Sequence, residues 1–134
     1  LRPPPSVPVR ARTGGNCVLI VDDNRDAVEM LAEAVRLEGY EVEVAHDGPT
    51  ALAILERFQA NVVVLDIGLP VMDGYEVARQ IRARPEHRTT RIVALTGYGQ
   101  TSDRERSQSA GFDLHLVKPI DVAQLLVAME GLAS

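Results

Sequence analysis

The sequence predicts an α/β fold, a single doubly wound (βα)5 domain in which five parallel strands carry helices on both faces. Three observations predict it. Five short β-branched runs recur along the chain, segments of helical periodicity lie between them, and one run, Val62–Leu65, is apolar without interruption. An uninterrupted apolar strand is what a sheet covered on both faces requires, and strict alternation of strand and helix implies right-handed crossovers in one parallel sheet.

Residues 1–16 hold Pro3, Pro4, Pro5, Pro8, Gly14 and Gly15 with almost nothing to bury, which reads as an extended linker ahead of a domain spanning 17–134. The first strand is Val18–Val21, opened by Cys17, expected to be an inert thiol in a buried strand. A helix follows, with Val28, Leu31 and Val35 on one face and Gly39 as its stop. Val42–Ala45 is the second strand, and Asp47 caps a helix carrying Leu52, Leu55 and Phe58. After the third strand come Val77 and Ile81 at helical spacing, then a fourth strand at Ile92–Leu95. Thr101–Ala110 is helix-length but almost wholly polar, so it is expected to be the least stable helix. Leu114–Val117 is the fifth strand. Asp121 then caps a last helix bearing Val122, Leu125 and Met129, with Gln124 placed as in a capping box.

Composition narrows the function classes. Hydrophobic residues make up 46% and charged residues 25%, as in soluble globular domains. No apolar run approaches the roughly 20 residues that span a bilayer, so membrane contact is not expected. With one cysteine the chain forms no internal disulfide, which suits a cytoplasmic location. The net charge is −5; setting aside Arg2, Arg10 and Arg12 of the first 16 residues leaves 11 basic and 19 acidic residues, a net of −8. An acidic body argues against direct nucleic-acid binding and for a cation-dependent site or a basic partner.

In an open parallel sheet, function gathers at the carboxyl ends of the strands. Those ends carry Asp22-Asp23-Asn24, Asp66, Thr96 and Lys118-Pro119. Each alone has an ordinary explanation as a cap, a turn residue or a surface charge. Together they call for chemistry. Two carboxylates about 4 Å apart repel by roughly 4 kcal/mol at an effective dielectric of 20, so three require a cation or a shared proton. An all-oxygen donor set selects a hard ion such as Mg²⁺. Asp66 then has a role as nucleophile, forming an aspartyl phosphate. The metal and Lys118 would neutralise charge on the phosphoryl oxygens, and Thr96 would donate a hydrogen bond to one of them.

The runs Val18-Leu-Ile-Val-Asp-Asp-Asn24, Val62-Val-Val-Leu-Asp-Ile-Gly-Leu-Pro-Val-Met-Asp-Gly74, Ala94-Leu-Thr-Gly-Tyr-Gly99 and His115-Leu-Val-Lys-Pro119 resemble the receiver domain of two-component response regulators. The resemblance extends from about Cys17 to Leu132. It implies a flavodoxin-like sheet of order 2-1-3-4-5 and phosphorylation of Asp66 by a histidine kinase or phosphotransfer domain. It also implies Mg²⁺ held by Asp23, Asp66 and the carbonyl of Gly68, with Asp22 acting through water. Thr96 and Lys118 would be the switch hydroxyl and the phosphate-pairing lysine, and the Lys118–Pro119 bond would be cis. Leu69-Pro70 and Asp73-Gly74 would shape the loop after Asp66, with Gly74 permitting a turn.

There are two departures from the family pattern. His115 stands where Tyr or Phe is usual; it is either an imidazole version of the inward-swinging switch residue or a half-exposed histidine without that role. Gly68 offers no side chain two residues after the phosphoacceptor, which leaves Tyr98 as the side chain expected to govern phosphate lifetime. Tyr98, the polar segment Thr101–Ala110 and His115 are the expected partner surface, for a downstream or intramolecular signalling domain or a homodimer.

Other readings fare less well. An aspartate-nucleophile phosphatase needs an acid at Gly68, and a flavin site needs a Ser/Thr-rich loop where Asp22-Asp23-Asn24 stands. A pseudo-receiver, a phosphorylation-independent interaction module, is the alternative kept. No turnover enzyme is expected of the isolated domain. The Pro-rich start and an end directly after the last helix suggest the C-terminal receiver of a hybrid sensor histidine kinase, with a stand-alone or truncated regulator as runner-up.

Overall fold

The computed structural model describes residues 16–97 and 109–133. Its elements run β1 (Cys17–Val21), α1 (Arg25–Leu37), β2 (Glu41–Ala45), α2 (Gly48–Leu55), β3 (Val62–Asp66), α3 (Gly74–Arg82), a 3₁₀ turn (Pro85–His87), β4 (Arg91–Thr96), β5 (Leu114–Val117) and α4 (Val122–Ala133). The strands form one parallel sheet in the order β2-β1-β3-β4-β5, as expected. Residues 1–15 of the expected linker, Tyr98 and 101–108 lie outside the described residues; Asn16, assigned to the linker, is buried and accepts from the Glu41 N–H at 2.8 Å, and Ser109 and Ala110 are helical.

Side chains alternate across the sheet with period two, and each set meets its own pair of helices. Val18, Ile20, Val64 and Leu95 face Val28, Ala32 and Val35 of α1 and Leu125 and Met129 of α4. Leu19, Val21, Leu65 and Ala94 face Ala51 and Leu55 of α2 and Val77 and Ile81 of α3. β3 is buried along its whole length, including Asp66, because it is the central strand with a helix layer on each side. Burying each such aliphatic side chain contributes about 1.5–3 kcal/mol, so the two layers hold the frame on which the strand ends sit.

The caps agree with their sequence signals. Asp47 accepts from the Thr50 N–H at 2.7 Å, and that bond from the backbone is the main cause that lowers its pKa. Asp121 accepts from the Ala123 N–H at 2.8 Å. Gly39, just past α1, has φ of 98°, a left-handed conformation suited to glycine.

Two expectations change. Gly74 does not need a positive φ; it opens α3 behind the Asp73 cap, and a Cβ there would lie 2.5 Å from the Cα of Ile67. The glycine is required by close approach of α3 to the loop after Asp66. Cys17 opens β1 only half-buried, though its thiol is pushed up in pKa by that burial and then by Glu41, whose carboxylate it meets at 3.5 Å. That suits an unreactive thiol.

Strain appears at Val71, 95% exposed with φ of 70°. The Met72 N–H donates to Pro70 O at 2.7 Å, closing a three-residue turn around it. A β-branched residue is costly in this region. Val71→Gly is expected to stabilise the domain by about 1 kcal/mol, relief of strain exceeding the added chain entropy of glycine. Urea unfolding checks this, and a lower midpoint for the variant would contradict the strain.

Candidate functional site

All five strands run the same way, so their carboxyl ends share one edge, and the ladder continues one step past it. The Asp22 N–H donates to Ala45 O at 3.1 Å, Ile67 N–H to Leu95 O at 3.1 Å and Lys118 N–H to Thr96 O at 2.8 Å. These bonds place Asp22, Asp66, Thr96 and Lys118 at neighbouring positions along the edge.

The side chains converge. One carboxylate oxygen from each of Asp22, Asp23 and Asp66 lies within 4.8 Å of the others. Asp22 and Asp66 are buried, at 6% and 5% exposure, whereas Asp23 is exposed. Lys118 Nζ sits between the two buried acids, 3.0 Å from Asp22 Oδ2 and 2.9 Å from Asp66 Oδ2. The remaining oxygens are held by backbone: the Asn24 N–H donates to Asp22 Oδ1 at 3.0 Å, and the Gly68 N–H to Asp66 Oδ1 at 2.9 Å. Asn24 caps α1 through Ala27 at 3.1 Å, which fixes the turn carrying the first two acids.

Burial opposes the charge on Lys118, but its hydrogen bonds to Asp66 and Asp22 outweigh that and hold its pKa above the ordinary lysine value. A raised lysine pKa means that this contribution to stability is fully present below the unfolded value. It is lost as pH rises through the folded one. At neutral pH the cluster therefore holds one fixed positive charge against three acids. Three carboxyl groups around one ammonium, oxygen-only donors facing solvent through Asp23, fit a hard divalent cation.

Of the sequence candidates, Asp22, Asp23, Asp66 and Lys118 are brought together, and Gly68 joins them through its N–H. Thr96 is buried on the same edge, but its hydroxyl donates to Leu116 O on β5 at 3.5 Å. His115 is exposed, its ring 5.8 Å from that of Phe112, which lies 5.9 Å from Tyr75 at the start of α3. The Lys118–Pro119 bond is cis. Sequence reasoning passed over His46, whose Nδ1 lies 3.2 Å from the carbonyl oxygen of Asp22. It also passed over a groove of about 720 Å³ beside Lys118, lined by Val28, Met30 and Leu31 of α1 and by Pro119, Ile120 and Val122. No helix among the described residues is long and apolar enough to cross a membrane.

Known proteins resemble this chain in sequence and fold. Residues 18–130 match the family model described as response regulator receiver domain. The chain is 37% identical over 115 residues to response regulator MprA of Mycobacterium avium, a match covering 86% of this chain and 50% of that protein, so it spans about half of that relative. The receiver domain of sensor histidine kinase PA1611 from Pseudomonas aeruginosa, solved with a magnesium ion coordinated in its active-site cleft, superposes with a TM-score of 0.80. It is 34% identical over 90% of this chain and 99% of that one. Chemotaxis response regulator CheY4 of Vibrio cholerae superposes equally well, at 0.80, with 31% identity over 87% of this chain and 98% of its own.

Proposed function

This chain belongs to the family of response regulator receiver domains, and from that premise we propose that it accepts a phosphoryl group from a histidine onto Asp66, beside bound Mg²⁺, and signals by a change of shape. The observation that carries the reading is the convergence of Asp22, Asp23 and Asp66 under a single lysine. Asp23 and Asp66 would hold Mg²⁺ directly with the carbonyl of Gly68, and Asp22 through water. When bound, the ion supplies positive charge to the phosphoryl oxygens. The magnesium reported for the PA1611 receiver supports this assignment.

The chemistry of the chain itself is positional. The Gly68 N–H holds Asp66 Oδ1, so the carboxylate is presented with Oδ2 toward Lys118. A carboxylate oxygen attacks phosphorus, the O–P bond forms and the P–N bond of the phosphohistidine breaks. The imidazole leaves with the electron pair and takes a proton from solvent. Lys118 follows the negative charge from the carboxylate to a phosphoryl oxygen, and Thr96 turns its hydroxyl from Leu116 to another. Movement of Thr96 and Lys118 draws on β4, β5 and the segment between them. Tyr98, His115 and Thr101–Ala110 are therefore the surface that a downstream or intramolecular partner would read. The apolar groove beside Lys118 offers a phosphodonor protein a place to pack.

The likeness to the PA1611 receiver supports a hybrid-kinase parent, and the likeness to MprA supports a response regulator with a further domain. The two parents differ in whether the donor histidine is in the same chain.

The test is incubation with acetyl phosphate and Mg²⁺, followed by intact mass. An adduct of about 80 daltons is expected, one phosphoryl group, absent when EDTA replaces the metal. A folded protein that gains no adduct under either condition would leave the pseudo-receiver in its place.

A further inference from the structure

We propose that His46 is a positioning residue for the acidic site, holding the peptide that leads into Asp23. This rests on reading Asp22, Asp23 and Asp66 as the Mg²⁺ site. His46 follows β2 directly and is half-buried, and its Nδ1 lies 3.2 Å from the carbonyl oxygen of Asp22, 24 residues earlier in the chain. A carbonyl only accepts, so Nδ1 carries the proton and donates.

The consequence follows from the planarity of the peptide unit. The carbonyl of Asp22 and the N–H of Asp23 belong to one rigid plane, so a bond to that oxygen fixes how the plane is tilted. The tilt in turn sets the direction in which Asp23 leaves the backbone. The other holds on this elbow among the described residues lie to either side of that plane. The Asp22 N–H is tied to Ala45 O at 3.1 Å, the Asp22 carboxylate to Lys118 and the Asn24 N–H, and the Asn24 side chain to the cap of α1. Asp23 itself is exposed and outside the β1 ladder. Its carboxylate is the member of the cluster that packing does not immobilise, and an exposed ligand loses affinity when its backbone is free to tilt.

The role belongs to the donor atom and the bond it makes. Asn places an N–H donor near the position of Nδ1 without an imidazole, whereas Leu fills the same space with none. The experiment measures Mg²⁺ affinity of the full chain by calorimetry at one pH for wild type, His46→Ala, His46→Leu and His46→Asn, with thermal midpoints taken in EDTA. His46→Ala and His46→Leu are expected to bind Mg²⁺ about tenfold more weakly, the lower end for groups that orient metal ligands. His46→Asn is expected to stay within about twofold of wild type, and the losses are expected to persist after midpoints in EDTA have been matched. Affinities of Ala and Leu equal to wild type, or Asn as weak as Leu, overturn the positioning role while leaving the metal site standing. A folded wild type that binds no Mg²⁺ overturns the metal reading and this inference together.

Discussion

Replacing Asp66 by alanine is expected to abolish the phosphoryl adduct, a loss of at least about a hundredfold in uptake, with the fold intact. The physical case lies in where the three acids stand along the sheet edge. Asp66 is at the end of the central strand, its Oδ1 engaged by the Gly68 N–H and its Oδ2 paired with Lys118. Asp22 is held in the same manner, by the Asn24 N–H on Oδ1 and Lys118 on Oδ2, but it follows β1 rather than ending the central strand, so its oxygens start from a different place. Asp23 is exposed and lies outside the central strand. A carboxylate displaced by about 1 Å from the line of attack loses on the order of a hundredfold in rate, so a neighbouring acid is a poor substitute. Asp66→Asn is the sharper variant, since it keeps the shape and the Gly68 hydrogen bond while removing the carboxylate charge and its pairing with Lys118. Intact mass after acetyl phosphate, followed by peptide mapping, checks both. An adduct of undiminished yield on another residue would refute the assignment of Asp66.

The largest effect on stability is expected far from that edge, at Arg82. Its guanidinium, at the end of α3, donates from Nε and Nη2 to Gly111 O at 3.1 and 2.9 Å, from Nη2 to Asp113 Oδ2 at 2.8 Å, and from Nη1 to Thr90 O. Asp113 also takes the Ile92 N–H at 2.8 Å, so one planar cation joins α3, the start of β4 and the entry to β5. Gly111, with φ of 97°, leaves the room: a Cβ there would lie 2.6 Å from Arg82 Cγ. Truncation strands two carbonyls and a partly buried carboxylate. Arg82→Ala is therefore expected to cost about 2–4 kcal/mol, read as a lower urea midpoint and a thermal midpoint down by roughly 10 °C. Arg82→Lys is expected to recover less than half, because a point charge cannot serve divergent acceptors at once. A cost below about 1 kcal/mol for the alanine variant would mean that solvent satisfies these groups and the clamp is idle.

What the sequence by itself determined is the content of each local segment. The β-branched runs, the apolar stripes, Asp47 and Asp121 as caps and Gly39 as a stop behave as their spacing required, because period and capping are decided by residues within a few positions of each other. The exception is the second helix, which ends at Leu55, so that Phe58 packs against the core from just beyond it. The acids at the strand ends were legible too, since parallel strands must deliver their carboxyl ends to one edge. The tertiary structure alone decided the pairings across long separations: Lys118 with Asp66, 52 residues apart, Arg82 with Asp113, 31 apart, and His46 with Asp22, 24 apart. It also decided that Gly74 answers to the approach of Ile67, and that His87 is fully buried with no hydrogen-bond partner for its ring nitrogens among the described residues. Such contacts depend on register and on helix–sheet packing. A side chain's own neighbours in the chain carry no trace of either.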